Sequence, residues 1–182
     1  LRLDLNVPLN NNKIIDTTRI DKIIPTINLL LKKNAQIIIL SHVGRPKGKI
    51  VKELSLMPVC ENLKNKIKKN IKLITKNIKK ISSSDLFSSS EEKIVMLENL
   101  RFYADEEKNN YEFSKHLASL GDIYVNDAFS CSHRKHASIA EITNHIKSFA
   151  GHQLIKEINT IKMLTGAASK PVSCIIGGSK IS

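Results

Sequence analysis

Gln36-Ile37-Ile38-Ile39-Leu40-Ser41-His42-Val43-Gly44-Arg45-Pro46 is the stretch that decides the fold. A short β-branched run passes without a spacer into a loop carrying His and Arg. The same arrangement recurs twice. Lys93-Ile94-Val95-Met96-Leu97 runs into Glu98-Asn99-Leu100-Arg101-Phe102, and Asp122-Ile123-Tyr124-Val125 runs into Asn126-Asp127-Ala128-Phe129 and then His133-Arg134-Lys135-His136. Short β-branched runs separated by helical segments read as parallel strands. Such strands end on one edge of their sheet, the edge where α/β proteins take ligands. The pattern predicts a doubly wound, Rossmann-like α/β fold with cations from distant sequence gathered at one rim, a site for a small, multiply charged anion.

Helical periodicity fills the gaps between these runs. Ile20, Ile23, Ile24, Ile27, Leu30 and Leu31 follow the i, i+3, i+4, i+7 rule, with Pro25 early in the helix and Asn34 as its stop. Arg19 heads that helix, where a cation opposes the helix dipole and needs another reason, such as an anion bound nearby. A second helix is predicted from Ser55 to about Lys69, a strand at Ile71–Ile74, and a Ser-rich connection with a helical turn over Ser82–Glu92. An amphipathic helix is predicted over Asn110–Leu120. Ser138-Ile139-Ala140-Glu141 reads as a capping box opening another. A longer helix follows Gly151 and stops at Gly166, and Pro171–Ile176 reads as a final strand. Leu1 to Val7 alternates strictly, with Arg2, Asp4 and Asn6 on one side. This is either a half-exposed edge strand or a row facing a ligand.

Composition bounds the partners. The 182 residues suffice for one domain or one domain plus part of another. Lys+Arg 29 against Asp+Glu 17 leaves +12, which suits nucleic acid, membrane surfaces or phosphorylated metabolites. The Lys/Asn/Ile-rich stretch from Lys64 to Lys80 is a solvated face, so the net charge does not choose among them. Aromatic residues are 4%, too sparse for the stacking platforms of single-strand binders. Cys60, Cys131 and Cys174 are far apart and contain no CxxC, which points to a reducing compartment. No apolar run approaches the ~18 residues a membrane span needs. Both ends of the sequence read as cut rather than finished.

Three loops carry candidate chemistry. In the first, Gly44 lets backbone approach a ligand, Arg45 offers a planar fork for phosphate or carboxylate, and His42 adds a donor; the alternative is a solvated turn. In the second, His133, Arg134 and His136 form an anion clamp. No Cys or acidic residue sits at metal-ligand spacing, so no metal site is expected there. Asn126 and Asp127 shape the loop. The third, Gly177-Gly178-Ser179-Lys180, lacks P-loop spacing and is either a phosphate-approach turn or a plain turn. No nucleophile elbow or carboxylate pair appears. The chemistry is charge neutralisation, as phosphoryl transfer requires.

Taken together and in order, these segments resemble the N-terminal lobe of phosphoglycerate kinase. Leu1–Leu9 is similar to an R-x-D-x-N-V-P-L strand, and Asp16–Ile27 to the helix that follows it. Ser41–Gly48 matches S-H-x-G-R-P-x-G, Leu97–Tyr103 matches L-E-N-x-R-F, and Val125–Ser138 matches V-N-D-A-F-x-x-x-H-R-x-H-A-S. The resemblance covers essentially the whole chain. Lys135 and Ser130-Cys131 depart from the common residues without removing a rim cation.

The resemblance implies reversible phosphoryl transfer between 1,3-bisphosphoglycerate and ADP, giving 3-phosphoglycerate and ATP, by a cytoplasmic, monomeric glycolytic enzyme with no nucleic-acid or membrane partner. It implies that Asp4 and Asn6 hold the substrate's hydroxyl and carboxylate end, that Arg19 lies by the transferring phosphoryl group, and that His42, Gly44, Arg45, Arg101 and Arg134 complete the patch. Arg2, His133 and His136 would support it, and Lys180 would reach the nucleotide phosphates. Residues 1–150 would form the phosphoglycerate-binding lobe, 151–170 the helix to the hinge, and 171–182 the start of a second lobe. That lobe, beyond this sequence, would bind most of the Mg-ATP or Mg-ADP, so the chain alone is expected to be inactive. A non-catalytic anion- or nucleic-acid-binding module is the alternative.

Overall fold

The computed structural model describes residues 1–166, 171–173, 175 and 177. The opening alternation yields a strand of two residues, β1 (Arg2–Leu3). Leu3, Leu5 and Val7 nevertheless keep facing the core. A small antiparallel hairpin, β2 (Leu9–Asn10) and β3 (Lys13–Ile14), follows. Asn11 and Asn12 turn it with φ of 47° and 59°, the left-handed pair that a tight hairpin demands.

Helix α1 (Thr18–Lys32) buries Ile20, Ile23 and Ile27 and runs on through Pro25. It ends in a Schellman motif: Asn34, at φ 58°, donates to the Leu31 carbonyl at 2.9 Å and Ala35 donates to Leu30 at 3.1 Å. Strand β4 (Ile37–Ile39) leads through the His42–Arg45 loop to α2 (Met57–Ile67), which stops at the left-handed Lys68. Then come β5 (Lys72–Ile74), a connection with 3-10 turns over Ile78–Lys80 and, in its Ser-rich part, Ser83–Asp85, and β6 (Ile94–Leu97). A short α3 (Ala104–Glu107) precedes α4 (Tyr111–Ser119), whose first turn is capped by Asn110 accepting from the Phe113 amide at 2.9 Å. Strands β7 (Tyr124–Asp127) and β8 (Ser148–Ala150) and helix α5 (His152–Gly166) complete the described elements.

The β4, β5, β6, β1, β7 and β8 pairings are all parallel. They form two sheets, ordered β1-β7-β8 and β4-β6-β5. A parallel bridge between Arg2 and Leu40 joins the two, with Leu3 N donating to Leu40 O at 3.0 Å and Leu40 N to Leu1 O at 2.9 Å. Strand β1 therefore lies between β4 and β7, and the half-exposed edge reading of Leu1–Val7 is wrong. Its polar row survives because the strand is brief and the chain leaves it at the carboxyl edge of the sheet.

Helices cover both faces, as a doubly wound fold requires. Strand β6 shows the division by period two: Ile94 and Met96 join α1 and α2 in one core, and Val95 and Leu97 join α4 in the other. All four are buried, which is why this strand reads as a continuous apolar run.

Two further expectations need correction. Ser138 starts no capped α-helix. A 3-10 turn over Glu141–Asn144 stands there instead, because the Ser138 hydroxyl is committed to Glu106 and Arg2. At Pro171–Ser173, no strand is present; Cys174 and Ile176 lie outside the described residues, as do Gly178, Ser179 and Lys180. Strand β8 escaped the sequence reading because it is short, exposed and adjacent to Gly151.

Candidate anion site

The carboxyl ends of β1, β4, β6 and β7 bring the predicted loops together. Ser41 Oγ donates to Leu3 O at 2.9 Å and accepts from Leu5 N at 3.2 Å, so the exits of β4 and β1 are clamped side by side. Gly44 comes next, at φ 63°, where an added Cβ would sit 2.6 Å from Leu54 Cδ2. Its amide donates to Asn6 Oδ1 at 2.9 Å, and its carbonyl accepts from Arg101 Nη1 at 2.9 Å. One glycine thus ties the β1 row to the loop after β6.

Asn99 and Glu98 hold that loop. Asn99 Nδ2 donates to Val43 O at 2.7 Å and to Leu54 O at 2.9 Å, and its Oδ1 accepts from Arg101 N at 3.1 Å. Glu98 accepts from Ser55 Oγ and Leu56 N, both at 2.7 Å, fixing the approach to α2. Sequence reasoning assigned neither residue a task.

Arg101 is 5% exposed. Its carboxylate neighbour, Glu107, is 3.7 Å from Nε. Burial pulls the Arg101 pKa down, Glu107 offsets part of this, and Arg134 and Arg2 lower it further. A crowded, desolvated cation of this kind is stabilised by an anion.

On the β1 side, Asp4 pairs with the half-exposed Arg19 and accepts from Ser130 Oγ. Asp4 is the anion that offsets Arg19 at the start of α1. Asn6 N donates to Asp4 Oδ1 at 3.2 Å. Asp127 lies behind the rim, accepting from Thr26 Oγ1 and, at 2.9 Å, from Leu154 N. It secures α1 and the first turn of α5 to β7 rather than shaping the loop after the strand. Asn126 Oδ1 accepts from Ala128 N at 3.0 Å, which turns the chain toward Arg134.

His42 is 3% exposed, and its Nδ1 lies 3.0 Å from Arg2 Nη2. Burial lowers its pKa to about 2, and the nearby charges of Arg2, Arg101, His136 and Arg134 push the same way. The ring is therefore neutral rather than a second source of charge. Arg2 is 1% exposed and lies beneath the rim. His136 is 3.9 Å from the buried Glu106; its pKa is lowered by burial against the opposing pull of Glu106.

The expected residues do not all meet. Arg19 touches Asp4, Arg101 touches Gly44, and Arg2 touches His42. Arg45 and His133 are exposed and make no hydrogen bond or ion pair among the described residues. Lys180 lies outside the described residues. Among the described residues no group of three His, Cys, Asp or Glu gathers that could hold a metal ion, and no helix is long and apolar enough to cross a membrane.

The order of these loops along the chain can be compared with known proteins. The sequence model described as phosphoglycerate kinase matches residues 1–182. The chain belongs to the phosphoglycerate kinase family. Among curated members of that family, the phosphoglycerate kinase of Wolbachia pipientis subsp. Culex pipiens is 46% identical over 182 residues, covering 100% of this chain and 46% of the relative. That of Bartonella bacilliformis is 44% identical, covering 100% of this chain and 46% of the relative. The chain thus spans about half the length of the curated relatives it matches. The solved phosphoglycerate kinase of Coxiella burnetii superposes with a TM-score of 0.82 at 38% identity, over 93% of this chain and 42% of that one. That of Pyrococcus horikoshii OT3 gives 0.82 at 26% identity, over 93% and 43%. The Rossmann-like lobe of the phosphoglycerate kinase family is the fold described above.

Proposed function

We propose that the protein carrying this chain moves a phosphoryl group between 1,3-bisphosphoglycerate and ADP, giving 3-phosphoglycerate and ATP, and that this chain supplies the phosphoglycerate site. The observation that carries the reading is the bracket Asn6–Gly44–Arg101, with the desolvated Arg101 beside Arg134 and Arg2. It is a preformed cationic cradle at the sheet edge where α/β proteins bind ligands.

Each residue then has a task that follows from its chemistry. Arg45, Arg101 and Arg134 take the stable phosphate through charge-assisted bonds. Asp4 and Asn6 accept from and donate to the hydroxyl and carboxylate end. Arg19, drawn to the rim by Asp4, lies where charge on the transferring phosphoryl oxygens is neutralised. Gly44 keeps the approach open, and Arg2, His133 and His136 reinforce the field. Mg-ATP or Mg-ADP supplies the phosphoryl donor or acceptor and belongs mainly to the remaining half of the protein, with Lys180 reaching it from this side.

Residues 1–150 form the substrate lobe in this reading, 151–170 lead to the hinge, and 171–182 open the second lobe. A cytoplasmic enzyme fits the buried free thiols of Cys60 and Cys131, and the monomeric state belongs to the same reading. No observation favours a non-catalytic anion- or nucleic-acid-binding module. Calorimetric titration with 3-phosphoglycerate tests the site: saturable, salt-sensitive binding is expected, and an absence of binding at millimolar ligand overturns it.

A further inference from the structure

Beneath the rim runs a continuous buried chain of hydrogen bonds that ends at His42. It begins at Glu106 in α3, 1% exposed, whose carboxylate accepts from Ser138 N at 3.0 Å and from Ser138 Oγ at 2.6 Å. The Ser138 hydroxyl, having donated to Glu106, accepts from Arg2 Nε at 3.0 Å. Arg2 Nη1 donates to the Leu40 carbonyl at 3.4 Å, and Nη2 lies 3.0 Å from His42 Nδ1. Tyr124 secures the middle of the chain, donating its hydroxyl to Ser138 O at 2.7 Å.

The donors leave one consistent assignment. A guanidinium has only N–H groups to offer. His42 Nδ1 must therefore accept, and the ring proton resides on Nε2, which has no protein partner among the described residues. Protonating Nδ1 would set two donors against each other inside the protein. The buried charge is balanced as well, since Arg2 and Glu106 face each other across a single hydroxyl.

We infer that Glu106, Ser138 and Arg2 are positioning residues that hold the His42 ring neutral with its proton on Nε2, so that it presents a directed N–H to the anion site. The aim toward an anion rests on the phosphoglycerate reading; the tautomer does not. The groups that face His42 are Arg2 from β1, Arg101 from the turn after β6, and Arg134 and His136 from the loop after β7, three permanent cations and one histidine. All of them oppose a proton on Nδ1. His42 thus gives the site a hydrogen bond whose strength does not follow pH, and it adds no charge of its own.

The test is long-range proton–nitrogen correlation spectroscopy on the chain with labelled histidine. His42 should show the Nε2–H pattern and stay unprotonated from about pH 8 down to about pH 5.5, well below the ordinary midpoint near 6.5. An Nδ1–H pattern, or a midpoint in the ordinary range, overturns the inference without any variant being made. Ser138→Ala and Glu106→Gln should mix the tautomers and weaken 3-phosphoglycerate binding about fivefold to tenfold, the worth of one directed bond. A folded variant that retains the pure Nε2–H pattern also overturns it. If the unaltered chain shows the Nε2–H pattern but binds no 3-phosphoglycerate, the ligand reading fails while the positioning chain stands.

Discussion

Asn6 and Gly44, 38 residues apart in sequence, are joined by a hydrogen bond of 2.9 Å from the glycine amide to the Asn6 Oδ1. This bond, with the one from Arg101 to the Gly44 carbonyl, turns three separate strand exits into one surface. Gly44 holds its left-handed φ of 63° between them. Gly44→Ala should cost about 1–2 kcal/mol through backbone strain alone. It should also loosen both bonds, so binding of 3-phosphoglycerate should fall by more than the stability loss implies. Denaturant unfolding alongside calorimetry separates the two effects.

Arg45 is exposed and bound to nothing among the described residues, so it has little part in the fold. Arg45→Ala should leave the melting temperature unchanged while weakening 3-phosphoglycerate binding about tenfold, the loss of one charge-assisted bond of roughly 1.5–3 kcal/mol. Equal affinity in the two proteins would remove Arg45 from the site.

Arg19 is held at the rim by Asp4. In the complete protein Arg19→Ala should lower kcat far more than it raises KM, the pattern left by an interaction made mainly in the transition state. A rise in KM alone would reassign it to ground-state binding. Steady-state kinetics on the full-length enzyme decides between them.

The chain by itself should bind phosphoglycerate weakly and turn nothing over, because transfer needs a nucleotide aligned in a closed, water-excluding cleft. A coupled assay with 3-phosphoglycerate, Mg2+ and ATP should match the protein-free blank. Turnover above it, with host enzyme excluded, would place a nucleotide site within these residues.

The buried neutral His42 makes stability depend on pH. Its folded pKa lies at about 2, below an ordinary unfolded value near 6.5. Between these values the unfolded chain binds the extra proton, so stability falls as pH drops below about 6.5, by up to about 1.4 kcal/mol per pH unit from this group. Urea midpoints measured from pH 7 to pH 5 should fall less steeply in His42→Gln. Parallel slopes would mean that His42 already accepts a proton in the folded state.

Local chemistry made much of the molecule legible. The apolar spacing from Ile20 to Leu31 and the stop at Asn34 determine α1 within the chain itself, since helix bonds and the Schellman turn link near neighbours. The runs at Ile37–Ile39 and Ile94–Leu97 are apolar throughout because both faces of those strands are covered. The rim cations were legible because a motif places each loop directly after its strand. What only the tertiary structure decided are the contacts that cross the sequence. Strand β1 reads like an edge yet sits between β4 and β7. Ser138 reads like a helix cap, yet its hydroxyl is taken by Glu106, 32 positions away, and by Arg2, 136 positions away. His42 reads like a potential charge and is neutral because burial strips its water and Arg2 occupies its Nδ1. A periodic pattern reports which face of an element is apolar. It does not report which distant donor will claim a buried acceptor, and that pairing settles the protonation and geometry of the site.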